Sequence, residues 1–309
     1  MYFSSVNNPQ IYCNMKINNL LIAFLLVSSA LFASISDKEK QALIMLNQST
    51  NGQNWTTKWN LNQPVETWYG VTIKDNKVIS ISLVSNNLEG RIDSSIKDLH
   101  YLESFNVFKN KLNGEIPSEI FSLTNLKNLN LSFNSFSGKL PNNVGNAKSL
   151  VSLEAFMNQL SGKLPESIGE LKNLELLSLF NNGLSGELPQ GLFKLNNLRE
   201  LLLNSNSLNG ELKSDIANLT KLENLSLFDN QLNGTIPSLE KMANLTAINL
   251  SLNNFKDFSD SSLVSLDRFK LQMYKSNSKE KVLLGEKEAT IIVSNKNIKG
   301  NPVSLSIKE

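Results

Sequence analysis

The chain has 309 residues, about 40% hydrophobic and 19% charged, and its 30 Lys plus Arg against 28 Asp plus Glu leave a formal net charge of +2. That balance argues against a nucleic-acid binder, which needs a basic face to neutralise phosphates, and against an acidic disordered chain. With one Cys (Cys13) and one His (His100), disulfide scaffolds, Cys/His zinc sites and Cys–His or Ser–His nucleophile pairs are all but excluded. No metal or cofactor is expected.

Residues 15–33, MKINNLLIAFLLVSSALFA, place Lys16 ahead of an apolar run from Leu20 to Val27, with small residues following at Ser28, Ser29, Ala30 and Ala33. This layout predicts a secretory signal over residues 1–33, cleaved after Ala30 or after Ala33, with Met15 a candidate for the true start. The alternative is a membrane anchor, but the 14 residues from Leu20 to Ala33 fall short of the roughly 20 needed to span a bilayer. Cleavage removes Cys13. The mature chain is therefore expected to have no disulfide and no transmembrane anchor, and to be secreted, extracellular or held at a cell surface.

A period of 24 residues then organises most of the chain. Residues 116–139 read IPSEIFSLTNLKNLNLSFNSFSGK, 140–163 read LPNNVGNAKSLVSLEAFMNQLSGK and 164–187 read LPESIGELKNLELLSLFNNGLSGE. Asn recurs at Asn86, Asn110, Asn134, Asn158, Asn182, Asn206 and Asn230, and again at Asn253 after a unit one residue shorter. Gly recurs from Gly90 to Gly234, and Asp257 stands where the next would fall. Within a unit, Leu222, Leu225, Leu227 and Asn230 show the pattern, and the alternation at Leu225 and Leu227 is strand periodicity. One such strand cannot bury its apolar face, whereas parallel stacking of the units buries a continuous Leu core. The Asn column is expected to act as a structural ladder, each amide satisfying backbone groups of its own and the next coil. Pro117, Pro141, Pro165, Pro189 and Pro237 hold the return side to extended or turn geometry.

These residues resemble the plant-type leucine-rich-repeat family, whose unit is similar to L-x-x-L-x-x-L-x-L-x-x-N-x-L-x-G-x-I-P. The resemblance implies an α/β solenoid, a right-handed leucine-rich-repeat coil with a parallel concave sheet, with the repeats over residues 73–257. Residues 34–72 resemble the N-terminal cap of the same family through Asp37, Ala42, Leu43, Leu46, Trp55, Trp59 and the run Trp68 to Thr72. All three Trp fall here, where they can seal the open end of the Leu core. The family usually places Cys pairs in this cap; Ile73 stands at one such position, so the cap is expected to hold by apolar packing alone. Residues 258–275, with Leu263, Leu266, Phe269, Leu271 and Tyr274, read as a degenerate terminal coil. Residues 276–309 read as a hairpin, a small β element or a tail, with β-like runs at 290–293 and 303–307.

Strands stacked in register align their outward residues in columns about 4.8 Å apart. The column after the second strand Leu holds Val84, Phe108, Ser132, Phe156, Phe180, Asn204, Phe228 and Ser251. Its four Phe form an outward stripe roughly 24 Å long, read either as a recognition patch or as rings that shield one another. The column after the first strand Leu alternates charge through Glu103, Lys127, Glu175, Arg199 and Glu223, a pattern of weak surface pairs. Arg199 is also a candidate ligand contact, since its fork suits carboxylate or phosphate. Glu154 and Asp229 share this face. Glycoside chemistry needs two carboxyls about 5–9.5 Å apart, and the column neighbours of Glu154 are Asn130 and Ser178. No catalytic residue is expected. The candidate ligand-binding set is Phe108, Phe156, Phe180, Phe228, Glu154, Arg199 and Asp229.

The leading reading is an exported non-catalytic recognition module with an extracellular protein or peptide partner on the concave face. Such a family includes receptor ectodomains and secreted inhibitors of foreign enzymes. The alternative is a glycan-binding or cell-surface structural protein; an enzyme ranks third. Six sequons, at Asn47, Asn54, Asn218, Asn224, Asn233 and Asn244, could accept glycans in a eukaryotic secretory pathway.

Overall fold

The structure is a computed structural model that describes residues 34–258 and the strands Leu271–Tyr274, Lys281–Leu284 and Thr290–Ile292. The signal segment lies outside the described residues, as do Leu263, Leu266 and Phe269 and the run at 303–307.

The cap opens on a helix, Asp37–Ser49, started by a reciprocal capping box. The backbone N–H of Glu39 donates to the Ser36 hydroxyl (3.3 Å) and that of Ser36 to the Glu39 carboxylate (3.2 Å). The other Glu39 oxygen accepts from the Val78 backbone at 3.0 Å. This buried carboxylate thus ties the helix to the first hairpin, in which Val71–Lys74 pairs antiparallel with Lys77–Ser82. The turn into that hairpin passes Gly70 at φ +76°, where a Cβ would sit 2.1 Å from the Ser82 carbonyl oxygen. Trp55, Trp59 and Trp68 are all buried in the same continuous core as the repeat leucines. Trp59 meets Trp55 edge-on at 4.9 Å and stacks on Trp68 at 4.8 Å.

Beyond the hairpin each coil contributes one short strand to a parallel sheet, from Ser104–Asn106 through Ala247–Asn249. Register advances by 24 residues per strand, as in Leu177 opposite Leu201 and Leu201 opposite Leu225, and by 23 at the last step, Leu225 opposite Ile248. These residues are buried, so every coil adds its apolar strand face to one shared core. The return side is built of single 3₁₀ turns, such as Glu166–Glu170 and Gln190–Lys194, three of them entered through a Pro. The one described α-helix belongs to the cap. A second parallel sheet of seven short strands, Glu89–Gly90 through Gln231–Asn233, runs along another side; the 24-residue pattern alone did not call for it.

The Asn column lies between the two sheets. Each amide nitrogen donates to carbonyls of its own coil and of the preceding coil, as Asn134 does to Leu131 (3.0 Å) and Val107 (3.0 Å). Each Oδ1 accepts from the preceding coil, as Asn134 does from Leu112 at 3.0 Å. The ladder therefore reaches backwards along the chain, where the sequence reading had the next coil. At its start Asn86 holds the cap through both backbone groups of Thr57. One residue before each ladder Asn the backbone enters the left-handed region whatever the residue type, Lys109, Phe133, Met157 and Leu252 included.

Past the last repeat, the strand that continues the large sheet is Thr290–Ile292, parallel to Ala247–Asn249. Leu271–Tyr274 instead pairs antiparallel with Lys281–Leu284.

Candidate functional site

The outward columns of the large sheet follow from strand parity. Phe105 and Val107 point into the core, while Ser104, Asn106 and Phe108 stand on the other side. Phe108, Phe156, Phe180 and Phe228 are all half-buried, in contrast to the fully buried leucines beside them. Three of the four come together. Phe156 and Phe180 stack at 4.4 Å with their planes 10° apart, and Phe108 lies 6.2 Å from Phe156. A fifth ring, Phe133, completes the group. It meets Phe108 at 5.2 Å and Phe156 at 5.6 Å, both edge-on, and is 40% exposed. Edge-on and offset ring pairs of this kind contribute about 0.5–1.5 kcal/mol each beyond burial.

Strand parity overlooks Phe133 because it stands at the left-handed residue of its coil, after the strand has ended. The signal was present in the column itself: Ser132 leaves a gap between Phe108 and Phe156, and a bulky ring follows it directly. Ser132 is fully buried and Ser178 nearly so, and among the described residues neither hydroxyl has a hydrogen-bond partner. Phe228 stands apart from the group, with Asn204 between it and Phe180 in the column.

The charged column forms pairs. Lys127 reaches Glu103 at 2.8 Å, and Arg199 is shared between Glu175, at 3.6 Å, and Glu223. All five side chains are about half exposed, so each pair contributes little to stability. Glu154 differs. Its register neighbours are Asn130 and Ser178, and it is half-buried with one hydrogen bond, from Ser152 at 3.2 Å. Burial raises its carboxyl above the ordinary glutamate value, the Ser152 bond partly offsets this, and the nearby charge of Glu200 adds to the rise. A carboxyl whose folded pKa is raised loses stability as pH climbs through that pKa. Glu154→Gln should therefore raise Tm at pH 7, and its advantage over the parent should shrink as pH falls and Glu154 takes up its proton. Thermal unfolding of both proteins from pH 7 to pH 4 checks this; an advantage that grows on acidification would contradict it. Asp229, the remaining acidic candidate, occupies a left-handed residue at φ 53°.

Elsewhere, a shallow concavity of about 700 Å³ opens on the flank, lined by Lys172, Lys194, Asn197, Lys221 and Lys241 among others. It shares no residue with the aromatic group. Among the described residues no cluster of His, Cys, Asp and Glu could hold a metal ion, and no helix is long and apolar enough to cross a membrane.

Comparison with known proteins agrees with this architecture. A family model described as a leucine-rich repeat region matches residues 155–281, and a second, described as leucine rich repeat, matches residues 125–147. No curated protein sequence matches. Among solved structures, the plant peptide hormone receptor RGFR1 in complex with RGF2 is 36% identical over 57% of this chain and 28% of its own, with a TM-score of 0.56. A TDR receptor is 31% identical over 67% of this chain and 37% of its own, with a TM-score of 0.56. A plant ice-binding protein is 26% identical over 75% of this chain and 84% of its own, with a TM-score of 0.65. The chain thus spans well under half the length of the two receptor structures and most of the ice-binding one. With its 24-residue period, its strand-per-coil register and these likenesses taken together, the chain belongs to the plant-type leucine-rich-repeat family.

Proposed function

We propose that this chain is an exported, non-catalytic recognition module that binds an extracellular protein or peptide on its concave face. The observation that carries this reading is the aromatic group of Phe108, Phe133, Phe156 and Phe180. Four rings contact one another yet remain open to solvent on a rigid stack of strands. Packed aromatic area of this kind is dried fully only by a partner, and such anchors carry most of the energy of an interface. The likeness to a receptor solved with RGF2 supports a peptide as the class of partner. In the test, the double substitution Phe156→Ser, Phe180→Ser is compared with the parent for affinity capture from the native extracellular milieu. We expect at least a tenfold loss for the partners captured by the parent, with unchanged far-UV circular dichroism. Equal capture of every partner would remove the aromatic group from the function.

A second reading rests on a different surface. On the seven-stranded sheet, Asn113, Ser137, Ser161, Ser185, Asn209 and Asn233 occupy the equivalent position of six successive strands, half-buried or exposed. A sheet that repeats hydroxyl and amide groups at a fixed interval can match an ordered solid. Together with the likeness to a plant ice-binding protein, this favours adsorption to ice as the alternative. Thermal hysteresis of the purified chain, and its loss on Ser161→Lys with Ser185→Lys, distinguishes it from the first reading.

A further inference from the structure

The concave columns carry more than apolar area. In the columns themselves five carboxylates, Glu103, Glu154, Glu175, Glu200 and Glu223, stand with two cations, Lys127 and Arg199, while Lys109 and Asp229 occupy the left-handed position that follows. Both cations are already committed, Lys127 to Glu103 and Arg199 to Glu175 and Glu223. Among the described residues, Glu154 and Glu200 have no basic side chain within ion-pair distance. Both are half-buried, and Glu154 is the one beside the rings: it ends its strand two residues before Phe156, with the shorter Asn130 and Ser178 to either side. The neighbouring Ser178 hydroxyl is buried without a partner. A desolvated carboxylate without a cation is costly unless one is supplied. The surface is thus apolar over the stacked rings of Phe156 and Phe180 and anionic beside them.

We infer that the concave face selects a peptide segment bearing a lysine or arginine side chain, its methylene stem laid on Phe156 and Phe180 and its cation on Glu154. Lys and Arg are the side chains that join an apolar stem to a charged head, and a cation near aromatic faces gains further from their quadrupoles. Ion pairing to a partly desolvated carboxylate adds specificity, because a neutral or acidic residue placed there leaves Glu154 unpaired. This inference rests on the peptide-binding reading above and names the chemistry of the peptide.

The test pans a phage library of random dodecapeptides on the full chain, then measures synthetic versions of the selected peptides by fluorescence anisotropy. Selected peptides should share a Lys or Arg. Replacing that residue with norleucine, which keeps the stem and removes the charge, should weaken binding about tenfold. On Glu154→Gln the advantage of the basic residue over norleucine should fall below about twofold. Selected peptides that lack a basic residue but depend on Phe156 and Phe180 would overturn the inference and leave the peptide-binding reading standing. A library that yields no binder, or binders indifferent to the Phe156→Ser, Phe180→Ser change, would overturn both.

Discussion

Asn230→Ala is expected to cost about 3–5 kcal/mol of unfolding free energy, among the largest losses any single substitution in the chain can produce. Asn230 is fully buried. Its amide nitrogen donates to the carbonyls of Leu203 (3.0 Å), Leu227 (3.1 Å) and Phe228 (3.3 Å), and its oxygen accepts from the Leu208 backbone at 3.0 Å. Alanine removes both sides of this bridge at once. The Leu208 N–H is then left facing a wall of leucine, where an orphaned donor costs about 1–3 kcal/mol, and each further bond lost, such as that to the Leu203 carbonyl, which Asn206 still reaches at 3.1 Å, costs about 0.5–1.5 kcal/mol. Because each coil leans only on its neighbours, the damage should be local at first. Native-state hydrogen exchange should show Leu208 losing protection while Phe105 and Leu129 keep theirs. Asn209→Ala, at an exposed Asn one coil earlier, is the control and should stay within about 0.5 kcal/mol of the parent. Urea unfolding of both variants decides the matter; a loss below about 1 kcal/mol for Asn230→Ala would mean that the ladder is not what holds adjacent coils together.

Trp55→Ala should destabilise by a comparable amount, about 3–5 kcal/mol, for a different reason. The first coil has no coil before it, so its leucines face whatever the cap supplies. The cap supplies Trp55, 1% exposed, packed edge-on against Trp59, which in turn stacks on Trp68. Truncation opens a cavity at the end of the core and removes the hydrogen bond from the Trp55 ring N–H to the Thr50 carbonyl (2.8 Å), which is left with the Glu89 backbone donor alone (3.1 Å). Trp55→Phe keeps most of the apolar area and loses only that hydrogen bond, so it should recover more than half of the loss. In Trp55→Ala, unfolding followed by the remaining Trp fluorescence should precede unfolding followed by circular dichroism, since the cap end is released first. Coincident transitions and a near-parent midpoint would show that the cap is decorative.

Both results would concern the scaffold, and the scaffold is what gives the concave face its meaning. Phe156 and Phe180 are 24 residues apart in sequence and 4.4 Å apart in space, because consecutive coils set equivalent residues side by side. The same arithmetic brings Lys127 to Glu103 and Arg199 between Glu175 and Glu223. A point substitution that shifted one coil would therefore disturb ring stacking and ion pairing together.

The period alone determined a great deal. Leucines at fixed spacing can be buried only by stacking, so the parallel sheet, its one-coil register and the outward parity of Phe108, Phe156, Phe180 and Phe228 were all legible in the residues. The columns also revealed which charges would be neighbours. What strand parity by itself did not place is whatever depends on the backbone leaving the strand or on depth. Phe133 joins the aromatic group because a left-handed residue after the strand swings its ring over the gap at Ser132. The Asn amides turn to the preceding coil because its carbonyls, such as Leu203, lie within their reach. Glu154 looks like any other outward carboxylate in sequence, and it is its half-buried place, with the charge of Glu200 nearby, that raises its proton affinity. The partner strand of Ala247–Asn249 is Thr290–Ile292, 43 residues further on. A repeat pattern that fades after Asn253 carries no information about that pairing, because an edge strand accepts any backbone that offers matching N–H and C=O groups.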